Sequence, residues 1–314
     1  MMERRVIVLA GPTGVGKSDL AVKLAQRLNG EIISCDSMQI YRGMDIGSAK
    51  IKPEDMRGVP HHLLDFLDPA TAFSAAEYQT LALKTIEQIH ERGHIAILTG
   101  GTGLYINSVI YPLGFTAADR SDEIRRKYED VLRDQGREAL HQLLQQQDPV
   151  SAGRIHANNV KRVIRALEVQ EMTGRAFSEY GEEKVLRQDL EIYYYWISMD
   201  RARLYDRINR RVDVMMAEGL LEEVRSLQAQ GLGPMHQSMQ GIGYKELLHC
   251  LEGKVSLEEA VDQIRQGSRN YAKRQMTWFR NDPNCAELSK ELMTDEQMVA
   301  KIESDVSTHQ TPKK

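Results

Sequence analysis

The segment Gly11-Pro12-Thr13-Gly14-Val15-Gly16-Lys17-Ser18 constrains this chain more than any other. It satisfies G-x-x-x-x-G-K-S, the phosphate-loop pattern. An apolar run over 6–10 precedes it, and Leu20, Leu24 and Leu28 follow at helical spacing. Strand, glycine loop, helix is the context the motif requires. Backbone N–H groups of such a loop turn inward, and the dipole of the following helix adds positive potential. Lys17 brings a point charge to a terminal phosphate, and the Ser18 hydroxyl is a ligand for Mg²⁺. The loop calls for a diphosphate or triphosphate without deciding which.

The alternation continues. Strands are expected at 31–34 and 95–99 and helices at 17–28 and 74–92, with Ser74 and Glu77 spaced as a capping box. Such alternation implies a parallel sheet with right-handed crossovers. From about Ser121 the texture becomes charged and helical. Three helices are expected at 122–134, 137–147 and 158–173, punctuated by Gly136, Asp148-Pro149 and Gly174. A strand returns at 192–197, where aromatic and β-branched residues dominate. Two long helices follow, from Asp200 to about Gln230 and from Ser256 to about Arg280. The expected fold class is α/β: a P-loop NTPase-like core, its parallel sheet flanked by helices, plus an all-helical insertion. The core takes residues 1–115 and 191–303, the insertion 116–190, and a disordered tail 304–314.

Composition narrows the class of function. Of 314 residues, 41% are hydrophobic and 27% charged, which suits a globular protein of one large or two moderate domains. A net charge of −4 excludes a uniformly basic nucleic-acid binder but allows a local basic surface. Cys35, Cys250 and Cys285 form no C-x-x-C pair, so neither a zinc site nor a disulfide framework is indicated. Apolar runs are too short to span a membrane, and the Met-Met-Glu-Arg-Arg start leaves no space for a secretory leader. A cytoplasmic location is expected, with no membrane partner. No chain-wide heptad or exposed apolar stripe is visible, so a monomer is expected.

Asp36, in Ser34-Cys35-Asp36-Ser37-Met38-Gln39, follows the strand at 31–34, and the carboxyl ends of strands in open α/β sheets line the ligand crevice. A carboxylate there can ligate a metal, act as a base or cap a turn. Thr102 lies in Gly100-Gly101-Thr102-Gly103, after the strand at 95–99, where glycines allow close backbone approach to a ligand or simply make a turn. The aspartate that phosphate-loop hydrolases place at the end of such a strand is missing. Asp65 is a weak substitute, which points away from ATP hydrolysis. Basic residues cluster at Arg154–Arg165, at Arg201–Arg211 and at Arg265–Arg274. Each cluster reads as a solvated helix face or, together, as the lining of a phosphate-rich groove. His61-His62 reads as a structural pair.

These residues together resemble the tRNA dimethylallyltransferases over about residues 5–285. The resembling segments are GPTGVGKS, SCDSMQIYRGMDIGSAK, VPHHLLD, GGTGLY, DPVSAGRIHANNVKRVIRALEV and QGIGYKE. The resemblance implies transfer of a dimethylallyl group from dimethylallyl diphosphate to N6 of the adenosine beside the anticodon, with Mg²⁺ assisting and tRNA as partner. It places the diphosphate in residues 11–18, which accounts for the missing aspartate. Lys17, Mg²⁺ on Ser18, and Arg211, which falls on the second arginine of Arg-Ile-x-x-Arg, would stabilise the leaving group. Asp36 falls on the family's general base and Thr102 on the matching hydroxyl. The segments that contact tRNA in the family fall on Asp36, Ser37, Met38, Gln39 and Thr102. In the insertion they fall on Arg125, Lys161, Arg162, Val163, Ile164 and Arg165. Further along they fall on Gln240, Gly241, Ile242, Gly243, Tyr244 and Lys245. The adenine is expected to flip from its stack. A eukaryotic-type zinc finger is absent, so a bacterial-type enzyme is implied. Three alternatives remain at this point: a P-loop small-molecule kinase, a prenyltransferase on free adenine nucleotides, and a non-catalytic RNA-binding module.

Overall fold

The computed structural model describes residues 4–112, 121–179 and 184–312. In chain order the first unit begins with β1 (Arg5–Ala10), α1 (Lys17–Leu28), β2 (Gly30–Ser34), β3 (His61–His62), α2 (Ala75–Glu91), β4 (Ile95–Gly100) and α3 (Gly103–Ile110). Then come α4 (Asp122–Gln147), α5 (Pro149–Arg154) and α6 (Val160–Thr173). The chain resumes with β5 (Glu191–Ser198), α7 (Arg201–Ala217), α8 (Leu220–Ala229), α9 (Tyr244–Leu251), α10 (Leu257–Arg280), β6 (Ala286–Ser289) and α11 (Asp295–Ser307). It divides into two compact units, Pro112–Val185 and the remainder.

The six strands form one sheet in the order β3-β2-β4-β1-β5-β6, every pair parallel. Both faces are covered, which is why β1, β2, β4 and β5 read as near-continuous apolar runs. Ile7, Leu9, Ile32, Ile97, Tyr193 and Tyr195 share a core with Leu20 and Leu24 of α1 and Met298 and Ile302 of α11. Their alternating neighbours Val6, Val8, Leu98 and Tyr194 are equally buried on the opposite face, where α2 packs on β2 and β4. Ser74 and Ser256 head α2 and α10 with complete capping boxes.

Three boundaries differ from expectation. The helix expected from Asp200 to Gln230 breaks into α7 and α8 at Gly219, whose φ of 100° no other residue type adopts cheaply. The helices expected to meet at Gly136 are joined in α4 across a non-helical residue there. The tail expected to be disordered from Ser304 begins instead as helix. Residues 304–307 close α11, and Val306 is buried against the sheet core. The edges of the helical unit also fall about five residues earlier than expected, because Tyr111 is buried and the Arg187 amide bonds the Ile110 carbonyl.

In the helical unit, Tyr128, Leu140, Leu144, Val163 and Leu167 build a separate core. Glu168, fully buried, accepts from the Ser121 amide at 3.1 Å, Arg125 at 3.0 Å and Arg165 at 3.1 Å.

At the amino ends of the strands, away from the loops described next, Glu31 is buried under Arg92, His62 and His94. Arg92 donates twice, at 2.9 and 2.7 Å, and each imidazole sits 2.6 Å from a carboxylate oxygen. The Arg92 bonds, partly opposed by burial and helped by the two histidines, lower Glu31 to about 2. A carboxylate depressed in the folded state stabilises above its unfolded pKa, and that contribution vanishes as pH falls through the folded value. Glu31→Gln is therefore expected to cost about 3 kcal/mol at pH 7 by urea unfolding. The gap to wild type should narrow below about pH 4.5 and close near pH 2. An equal gap at pH 7 and pH 3 would show that the carboxylate charge is not what stabilises.

Candidate active site

Because all strands run the same way, the loops after β1, β2 and β4 emerge on one edge. β1 lies between β4 and β5, where the strand order reverses, and that is the ligand crevice of an open α/β sheet. The phosphate loop leaves β1 there and ends at Gly16, left-handed at φ 93°, as the N-cap of α1. Lys17 Nζ donates to the Pro12 carbonyl at 2.8 Å. The Ser18 side chain is exposed at the head of the helix.

Three charges interact at the loop. Desolvation is the largest influence on Lys17 and, with Asp36 opposing and Arg211 reinforcing, it lowers the ammonium to about 8. Arg211 is also pushed down by burial; Asp36 offsets this and Arg207 adds to it. Two cations thus share the field of one carboxylate, a local excess of positive charge in an acidic chain. Arg207 adds a third cation by bracing on the loop, its Nε donating to Gly14 O at 2.9 Å.

Asp36 starts the turn after β2. Its Oδ1 accepts from the Met38 amide at 2.9 Å. Thr102 enters from the β4 side. Its amide bonds the Cys35 carbonyl at 3.0 Å, and its Oγ1 accepts from the Ser37 amide at 3.0 Å. Asp36, Ser37, Thr13, Arg211, Tyr271 and Arg274 line one cavity of about 300 Å³. Of the catalytic residues expected from sequence, Asp36 and Arg211 line this cavity, Lys17 interacts electrostatically with both, and Thr102 reaches it through the Ser37 amide.

The expected tRNA-contact residues divide. Met38, Gln240, Gly241, Ile242 and Gly243 also line this cavity, and Lys161, Arg162 and Lys245 are exposed. Val163 and Ile164 are buried in the helical core and offer no surface. Arg125 and Arg165 are paired with Glu168. Gln39 holds its own loop, donating to the Ser48 and Ala49 carbonyls. Gly243 is buried as the N-cap of α9, and Tyr244 is buried with its hydroxyl 2.7 Å from Glu223. Asp65 carries a Lys50 ion pair at 2.5 Å and stands as that lysine's partner. Sequence reasoning missed Tyr271, Gln275 and Glu223. The only signal for the first two was their i, i+4 spacing beside Arg274 on one helix.

The fold and loop define a phosphate-loop α/β protein whose crevice pairs a cationic loop with a carboxylate and a hydroxyl. The family model for IPP transferase matches residues 39–282. A tRNA dimethylallyltransferase of Geobacillus thermodenitrificans is 52% identical over 280 residues, covering 89% of each chain. The crystal structure of a tRNA isopentenylpyrophosphate transferase from Bacillus halodurans is 44% identical, with TM-score 0.74 over 98% of this chain and 97% of that one. A eukaryotic dimethylallyltransferase acting on tRNA is 30% identical, with TM-score 0.82 over 99% of this chain and 81% of that one. The chain belongs to the IPP transferase family.

Lys17→Ala is expected to weaken binding of inorganic diphosphate about 10- to 100-fold by calorimetry, the worth of a charge-assisted hydrogen bond. The thermal midpoint should stay level or rise, because a desolvated cation is removed. Unchanged affinity would place the diphosphate elsewhere.

Proposed function

We infer that the protein transfers a dimethylallyl group from dimethylallyl diphosphate to N6 of the adenosine immediately 3′ of the anticodon in tRNA, releasing diphosphate. The observation that carries this reading is the placement of Asp36 on the cavity beside the phosphate loop, with the Thr102 hydroxyl bonded to the adjoining Ser37 amide, in a chain 52% identical to a tRNA dimethylallyltransferase. The loop holds a leaving group, which fits the absence of a hydrolytic aspartate.

The chemistry follows from the charges. The allylic C–O bond breaks as the N6–C bond forms, and negative charge collects on the departing diphosphate. Lys17, Arg211 and the loop amides are the groups that receive that charge. The amine of a purine is a poor nucleophile whose proton becomes acidic only as the new bond forms, so a carboxylate suffices as its acceptor. Asp36 takes that proton, and the Thr102 hydroxyl contacts the amine beside it.

Mg²⁺ fits this site in one way. Among the described residues no group of three or more His, Cys, Asp or Glu could hold a metal. Mg²⁺ keeps several waters and takes phosphate oxygens, so one protein ligand suffices, and the exposed Ser18 hydroxyl is that ligand. When bound, the ion neutralises charge on the leaving group.

The target base leaves its stack to reach the cavity. Lys161 and Arg162 of the helical unit, exposed and outside its core, are the side chains that meet anticodon-arm phosphates. Among the described residues no helix is long and apolar enough to cross a membrane, and the reading is of a cytoplasmic monomer.

The test uses labelled dimethylallyl diphosphate with an anticodon stem-loop, with AMP, and with ATP alone. Label on the stem-loop only is the expected result. Label on AMP indicates a free-nucleotide prenyltransferase, and ATP consumption without label indicates a kinase. Asp36→Ala should lower kcat about 10²- to 10⁴-fold while stem-loop affinity stays within threefold. Equal losses in both would make Asp36 a tRNA-site residue only.

A further inference from the structure

Tyr271 and Gln275 sit one turn apart on α10, and both face the crevice. Gln275 is 5% exposed. Its Oε1 accepts from the Thr13 amide of the phosphate loop at 2.9 Å. Its Nε2 donates to the Gly101 carbonyl at 2.9 Å, in the loop that carries Thr102. A Cβ at position 101 would lie 2.1 Å from the Gln275 amide nitrogen, so a side chain there displaces that amide. Tyr271 lines the cavity together with Asp36 and Ser37. From Thr102 the connection continues to the Ser37 amide, next to Asp36. One buried amide therefore spans the loop that follows β1 and the loop that follows β4.

We propose that Gln275 is a positioning residue that sets the distance between the diphosphate cradle and the Asp36–Thr102 pair. This rests on the transferase reading above. A primary amide suits the task because it offers one acceptor and a donor at fixed separation. The two loops lie on adjacent strands, β1 and β4, but past the strand ends no ladder bond holds them in register. Gln275 supplies that bond. Transfer needs the allylic carbon and N6 at near-attack distance, and a misplacement of about 1 Å can cost about 10²-fold in rate.

The consequence is specific. When donor and acceptor lose register, water competes with N6 for the allylic carbon. In that side reaction the C–O bond to diphosphate breaks, a water oxygen bonds the same carbon, and its proton goes to solvent, giving dimethylallyl alcohol. Partial unfolding would lower alcohol and prenylated RNA together and leave their ratio unchanged.

The experiment measures that ratio, with kcat and KM, for wild type, Gln275→Ala and Gln275→Glu, using labelled dimethylallyl diphosphate and saturating stem-loop. Gln275→Glu keeps the volume and the acceptor for Thr13 but loses the donor to Gly101, so it reports if the alanine variant folds poorly. Expected are a kcat about 10²-fold lower for Gln275→Ala, KM for both substrates within about threefold, and a severalfold higher alcohol-to-RNA ratio in both variants. A ratio unchanged in both variants, or an unchanged kcat, overturns the proposal. Absence of transfer by the wild type would overturn the transferase reading instead.

Discussion

β1 is bonded along its whole length by β4 on one side and β5 on the other, and the phosphate loop begins where that double pairing ends. A parallel strand buried on both faces cannot slip by one residue without turning its apolar side chains the wrong way. The carboxyl end of β1 is therefore a fixed point, and so are the adjacent ends of β2 and β4. Each chemically active loop departs from one of these anchors. The crevice is the unavoidable gap at the place where the chain, having run outward through β2 and β3, returns to the other side of β1.

Into that gap the fold puts charges that disfavour one another in the absence of ligand. Lys17 is desolvated, and Arg211 lies near it with only Asp36 to offset them. Such an arrangement costs stability in the free protein and is relieved by an anion, so binding energy is concentrated at the phosphates. Asp36 has a double part. It moderates the cations before binding and, in the proposed transfer, is the base when the amine arrives. Removing it leaves the cradle more positive, which favours diphosphate while abolishing the proton acceptor.

Much of this is legible in the sequence, for identifiable reasons. The strands at 6–10, 31–34, 95–99 and 192–197 announce themselves because both faces are covered. The capping boxes at Ser74 and Ser256 are local and need no tertiary information. β3, two residues long, exists only through its pairing with β2. The break at Gly219 is hidden because the apolar positions Val212, Leu220 and Val224 continue a helical period across it. Val163 and Ile164 illustrate a different failure. A motif transfers whole segments, whereas a helix turns one face of that segment inward, so Lys161 and Arg162 keep the surface while Val163 and Ile164 do not. Gln275 was not legible because its partners, Thr13 and Gly101, lie 262 and 174 residues away.

The same logic explains why two distant segments, 36–50 and 240–246, mark the family together. The Glu223 carboxylate on α8 accepts from the Asp45, Ile46 and Gly47 amides at 2.9, 2.8 and 3.1 Å and from the Tyr244 hydroxyl at 2.7 Å. Successive backbone amides on one anion form a concave nest, here filled by a side chain of the same molecule. A Cβ at Gly47 would lie 2.6 Å from the Tyr244 ring. A side chain at 47 thus displaces Tyr244, and a displaced Tyr244 leaves Glu223 with one donor fewer, loosening the far end of the loop that begins at Asp36. The position of the catalytic carboxylate therefore depends on α8 and α9 as well as on β2, and each segment is intelligible only with the other in place.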